Sequence, residues 1–185
     1  MPARRRTPDP ADHLEVVGDL VDGLRSLALD PVLVGGMALV LLGSRRVTRD
    51  FDFVIAQPGK RLDRVVALFY DRGLQLVSRL NDTGDVAATI DNRKVAAVRL
   101  RIDAPDSAYF FNTITGLRVD LLFDFPIAAR DLLSGATPTT IRSRVMHVAS
   151  EPDLLRLKQI ARSARTSPGD AEDIAFLQAR RTRSS

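Results

Sequence analysis

Asp50 and Asp52 stand two apart in the run Arg46-x-Thr48-x-Asp50-Phe51-Asp52-Phe53. In an extended segment that spacing puts both carboxylates on one face, with the intervening Phe51 on the other. Two aligned carboxylates are the beginning of a site for a divalent cation, and phosphoryl chemistry with such ions wants a further acid converging from a neighbouring strand. Asp120, in Arg118-Val119-Asp120-Leu121-Leu122, is the candidate. An ionised group in a half-buried strand is costly without a cation or a strong partner. Upstream, Gly35-Gly36 follows the short apolar run Val32-Leu33-Val34. Missing side chains there let the backbone approach a phosphate chain, and the helix start behind them adds N–H groups. Acids and glycines in this order read as a magnesium–nucleotide site.

These groups need elements to hold them. The spacing of Leu14, Val17, Leu20, Val21, Leu24 and Leu27 predicts a helix over 10–29 with Asp12 as its cap, ended by Asp30-Pro31. Residues 32–34 read as a buried strand, 37–42 as a short helix stopped by Gly43, and 50–55 as the strand carrying the paired acids. An amphipathic helix is expected over 61–72 with Gly73 as its stop, then a weak strand over 74–80 and a turn at 81–85. Residues 86–90 and 95–102 read as a hairpin joined through Asp91-Asn92. In 116–124, Leu117, Val119, Leu121 and Phe123 alternate with Arg118, Asp120, Leu122 and Asp124. Tyr109-Phe110-Phe111 reads as core or strand-end packing. A helix over 126–133, a last strand pair over 139–148, a helix over 151–165 capped by Ser150, and a final helix from Pro168 complete the reading. Residues 1–10 are expected to be a disordered basic tail, 11–148 the core, and 149–185 helices packed on the same domain, with 180–185 fraying.

Composition narrows the chemistry. The 185 residues contain no cysteine and two histidines, which excludes thiolate metal sites and disfavours imidazole ones. The net charge of +4 comes almost wholly from arginine, whose fork suits phosphate. No apolar run is long enough to span a bilayer, the N-terminus lacks a signal-peptide core, and a cytoplasmic location is expected.

The order Gly35-Gly36, Asp50-x-Asp52, Asp120 resembles the DNA polymerase β-type nucleotidyltransferase superfamily over roughly residues 32–125. The form Gly-Gly-x-Ala-Leu followed by Arg46-x-Thr48-x-Asp50-x-Asp52 is similar to the nucleotidyltransferase-like toxins of abortive-infection toxin–antitoxin pairs and their uncharacterised relatives. Lys158 on one helix and Asp170 and Asp173 opening the next support that narrower likeness. The resemblance implies an α+β fold, with a small mixed β-sheet flanked by helices and further C-terminal helices. It implies Mg²⁺ (or Mn²⁺) held by Asp50, Asp52 and Asp120, and an NTP bound by Gly35, Gly36, Arg46, Thr48 and Lys158, with Asp170 and Asp173 nearby. The implied reaction moves a nucleoside monophosphate from Mg–NTP to an acceptor, RNA (a tRNA end above all) or protein, in an enzyme countered by an antitoxin. Three other readings are a small-molecule (aminoglycoside-type) nucleotidyltransferase using Asp82, Asp85 and Asp103, a non-catalytic nucleotide-binding module, and a plain nucleic-acid binder. The last is disfavoured by 5% aromatic content and no Trp.

Overall fold

In strands that alternate strictly, one residue in two must leave the core, and here those residues carry the chemistry. The computed structural model describes residues 10–164 and 168–184. Its eight strands are β1 (Val32–Val34), β2 (Asp50–Ile55), β3 (Gln75–Leu80), β4 (Val86–Ile90), β5 (Ser107–Phe111), β6 (Arg118–Phe123), β7 (Thr137–Ile141) and β8 (Arg144–Val148). They form one sheet in the order β4-β3-β5-β6-β2-β1-β8-β7. β2 pairs parallel with β6 and β1 parallel with β8; the other neighbours are antiparallel. The helices are α1 (Pro10–Ser26), α2 (Gly35–Leu41), α3 (Leu62–Tyr70), α4 (Arg93–Asp103), α5 (Ala129–Gly135), α6 (Glu151–Ala164) and α7 (Pro168–Ser184). The fold is the expected α+β one, a mixed sheet flanked by helices.

Register turns the alternation into two faces. Leu33, Phe53, Leu121 and Ala108 form a buried row across β1, β2, β6 and β5, and Phe51, Val119 and Phe110 form a second. Val17, Leu20, Val21 and Leu24 of α1 and Leu62, Val65, Val66 and Phe69 of α3 join the same core, with the Phe69 ring stacked on Phe110 at 4.2 Å between centroids. Burying each such side chain contributes about 1.5–3 kcal/mol. The core therefore fixes the strand register, and the register fixes which residues are left on the opposite face. Leu154, Leu155, Ile174 and Leu177 of α6 and α7 belong to this same buried cluster.

The structure corrects the sequence reading at several places. Residues 95–102 are not a strand: they lie in α4, where Ala96, Ala97 and Leu100 are buried at helical spacing. Asn92 is the cap of α4 rather than a hairpin turn, its side chain accepting from the Lys94 and Val95 N–H groups at 2.9 and 3.3 Å. The true hairpin joins β3 to β4 through residues 81–85, where Asn81 Oδ1 accepts from the N–H of Thr83 and of Asp85. Residues 107–111 are a central strand. The helix expected from Pro126 begins at Ala129, whose N–H donates to Asp124 Oδ1 at 2.8 Å. Asp12 lies inside α1, which opens at Pro10; its side chain and the expected tail over 1–9 fall outside the described residues. The end of the chain is helical through Ser184, with Arg180 held by Glu151 and by the Leu42 carbonyl. Ser150 does cap α6, accepting from the Asp153 N–H and donating to its carboxylate. No helix among the described residues is long and apolar enough to cross a membrane.

Candidate functional site

Three cross-strand rows on the sheet face turned away from α1 and α3 build the site, with Val54 buried at its inner end. Asp52 of β2, Asp120 of β6 and Tyr109 of β5 are successive partners in register, as are Asp50, Arg118 and Phe111 one row along, and Val54, Leu122 and Ser107 on the other side. These rows floor a cleft of about 680 Å³ whose walls include Gly35, Gly36, Arg46, Thr48 and Lys158. All eight residues expected at the site from sequence, apart from Asp170 and Asp173, thus line one cleft.

Gly35 sits at the rim with φ +67°, and a Cβ there would come within 2.0 Å of Asp52 Oδ2. Any side chain at this position is strained by the backbone and also collides with the carboxylate. At Gly36 a Cβ would lie 3.2 Å from both Arg46 Nε and Thr48 Oγ1, so the segment leading into β2 packs directly on the glycine pair. Both glycines belong to α2 itself, which starts two residues earlier than its apolar pattern suggests.

Asp120 is held in an environment that disfavours its charge. Burial, then the neighbouring Asp52 charge, push its carboxyl from 3.8 up to about 7, with Asp50 adding to the rise and a hydrogen bond from Ser107 opposing it. Its Oδ1 is buried with no hydrogen-bond partner among the described residues. Tyr109 opposite is also raised, first by burial and then by Asp50. Asp50 is less enclosed, with Oδ1 3.9 Å from Arg118 Nε. Among the described residues, no three His, Asp or Glu side chains are already gathered as a metal-ligating set.

The raised carboxyl has a consequence for stability. The native state holds the Asp120 proton between pH 4 and 7 while the unfolded chain releases it, so stability falls as pH rises through that window. A displacement from 3.8 to about 7 corresponds to roughly 4 kcal/mol, fully felt only above pH 7. Asp120→Asn should remove this slope. Urea denaturation at pH 5 and pH 8, without divalent ions, should show the variant gaining on the wild type at the higher pH. Parallel curves for the two proteins would mean that Asp120 is ionised in the native state throughout.

Asp170 and Asp173 are neither in the cleft nor solvated acids at a helix start. They are 2% and 3% exposed, beneath the cleft wall. Lys158 Nζ lies 3.1 Å from Asp170 Oδ1 and 2.7 Å from Asp173 Oδ2, and the Arg46 guanidinium donates to Asp173 as well. The two acids thus hold two of the cations that line the cleft, Lys158 and Arg46. Asp82, Asp85 and Asp103 do not form an acidic acceptor pocket: Asp85 faces Arg118 at 3.6 Å, and Asp103 pairs with Arg99 of its own helix at 2.6 Å.

Sequence reasoning missed Tyr109 and Ser107 as cleft-facing residues and Phe111 at the adjoining groove, and undervalued Arg118. Alternation in Ser107-Ala108-Tyr109-Phe110-Phe111 was the available signal: Ala108 and Phe110 are buried, while their neighbours face the acids.

No protein-family model matches the sequence, and no curated protein matches it either. Solved structures do. The lincosamide antibiotic adenylyltransferase LnuA, in a lincomycin-bound crystal structure, superposes with TM-score 0.55 at 12% identity, over 90% of this chain and 95% of that one. An antigenic nucleotidyltransferase-like protein from Paracoccidioides brasiliensis gives 0.56 at 16%, over 91% and 76%. ANT(2'')-Ia in complex with adenylyl-2''-tobramycin gives 0.53 at 14%, over 90% and 87%. At such identities the likeness speaks for architecture, and the architecture this chain shares with all three is the nucleotidyltransferase fold.

Proposed function

We propose that the protein is a metal-dependent nucleotidyltransferase that moves a nucleoside monophosphate from an NTP to an acceptor hydroxyl or phosphate. The observation that carries this reading is the register pairing of Asp52 with Asp120, beside a glycine that has no room for a side chain. Two adjacent carboxylates, one with a buried oxygen lacking a partner, repel each other, and a divalent cation relieves that repulsion. Asp50, Asp52 and Asp120 therefore fit as the residues that would hold Mg²⁺ or Mn²⁺. Bound there, such an ion supplies charge neutralisation for the phosphates and alignment of the reacting oxygens.

The chain's own groups divide the remaining work. Gly35-Gly36 leaves space for the phosphate chain to approach the backbone. Arg46 and Lys158, held in place by Asp173 and Asp170, face the charge that develops on departing pyrophosphate. In transfer to a hydroxyl, the acceptor oxygen forms a bond to the α-phosphorus as the bond to the bridging oxygen of the β-phosphate breaks. The hydroxyl proton passes to Asp120, which stands in register beside Asp52 on the cleft floor. Thr48 Oγ1 steadies the entry to β2 by accepting from the Asp50 N–H at 3.4 Å.

The narrower motif resemblance extends the proposal to a toxin-like enzyme in the cytoplasm, acting on tRNA or protein and restrained by an antitoxin. A second reading keeps the transfer and takes a small-molecule acceptor, in line with the shared architecture of LnuA, a lincosamide adenylyltransferase matched over 95% of its length. Incubation with each α-labelled NTP, Mg²⁺ and, separately, total tRNA, cell lysate protein or a lincosamide–aminoglycoside mixture tests these readings together. Label on tRNA or protein supports the macromolecular reading and label on an antibiotic the second. No label anywhere, with no Mg²⁺-dependent rise in melting temperature on adding NTP, removes the enzyme altogether.

A further inference from the structure

A second groove leaves the cleft at the Asp50–Arg118–Phe111 row. Its volume is about 480 Å³, and its lining includes Arg46, Thr48, Arg49, Asp50, Phe111 and Arg118. Arg46, Thr48, Asp50 and Arg118 also line the acid cleft, so the groove leads straight into it. Three guanidinium groups and one carboxylate line the groove, Arg46 being held by Asp173 beneath. Arg118 hydrogen-bonds Tyr109, meets Asp50 and Asp85 at 3.9 and 3.6 Å, and its guanidinium lies over the Phe111 ring at 5.9 Å. Arg49 is exposed and has no ion pair or side-chain hydrogen bond among the described residues. Val47 and Ile114, on the segments that border the groove, are 89% and 88% exposed.

An arginine fork with no partner of its own, as at Arg49, beside a second arginine and an aromatic ring, suits alternating phosphates and bases. The same forks repel a polycationic acceptor, which sets this groove against an aminoglycoside. We infer that the groove binds a single-stranded polynucleotide and feeds its end, as the acceptor, toward Asp120. Arg49 and Arg118 take phosphates, and Phe111 takes a base. This inference rests on the nucleotidyl-transfer reading for the word acceptor, but the groove itself is tested separately.

The experiment measures anisotropy of 5′-labelled RNA and DNA 12-mers at 50–200 mM salt, alongside the melting-temperature shift caused by Mg–NTP. Arg49→Ala should weaken oligonucleotide binding about 10-fold and make the salt dependence shallower by about one counterion. Arg49→Lys should recover most of that loss, Arg130→Ala on exposed α5 should change nothing, and the Mg–NTP shift should survive in all three. A preference between the RNA and DNA strands names the natural acceptor. Equal binding by wild type and Arg49→Ala overturns the inference, as does a wild type that binds neither strand. Loss of the Mg–NTP shift in Arg49→Ala also overturns it, because the groove then belongs to the triphosphate. If the groove variants lose oligonucleotide while wild type shows no Mg–NTP shift, the polynucleotide groove stands and the transferase reading falls.

Discussion

Asp52→Asn is expected to lower nucleotide transfer by about 10³-fold or more, the equivalent of roughly 4 kcal/mol of transition-state stabilisation. Asp52 pairs in register with Asp120 and touches the space that Gly35 leaves open, so it is the acid through which both neighbours act. The same substitution should leave the apo protein at least as stable as wild type, because it removes a charge that repels Asp120. Those opposite directions distinguish loss of chemistry from loss of fold. Single-turnover transfer and a thermal melt, run on one preparation, measure both. Transfer within threefold of wild type would take Asp52 out of the metal set.

Asp173→Ala should be the most damaging single change outside the core. Asp173 is almost fully buried and receives both Lys158 Nζ and the Arg46 guanidinium. Removing one partner of a buried ion pair costs about 3–5 kcal/mol, because a buried charge loses its compensation. Here the cost is reduced to about 2–4 kcal/mol, since Lys158 keeps Asp170 and the partly exposed Arg46 turns to water. For a chain of this size, that lowers the melting temperature by roughly 5–15 °C. Asp173→Asn, which keeps an oxygen for one of the two donors, should fall between wild type and alanine. The KM for NTP should rise in both variants, because Arg46 is no longer held against the cleft. A melt within about 2 °C of wild type would show that the network is dispensable.

Local pattern made the acids legible. Asp50, Asp52 and Asp120 each sit in an apolar alternation, and two-residue periodicity alone puts them on the face that the core does not use. Gly35 was legible as a turn, but its contact with Asp52 crosses from one strand end to another and is set by the β1–β2 pairing. Lys158 was visible as the one lysine of an amphipathic helix that also carries Arg156 and Arg162. Its partners were not, because acids at the start of α7 look the same whether they cap the helix or lie buried beneath it. The misread segment was 95–102, where the closing Arg99-Leu100-Arg101-Ile102 alternates like a strand. The capping geometry of Asn92 and the buried pair Ala96 and Ala97 decide for helix, and an alanine pair gives little amplitude to either period. With that strand wrongly placed, Ser107–Phe111 lost its role as the neighbour of β6, and Tyr109 and Phe111 dropped out of view.

The pairing of β2 with β6 joins residues far apart in the chain, and the cations of the cleft come later still, on α6 and α7. During synthesis, Asp50 and Asp52 leave the ribosome long before Asp120, and Arg46 waits for Asp173 before it is anchored. Parallel pairing across such separations forms slowly and late. A chain that stops short of α7 therefore presents the acids without anchored cations, and the full site is completed only once Asp173 has been made.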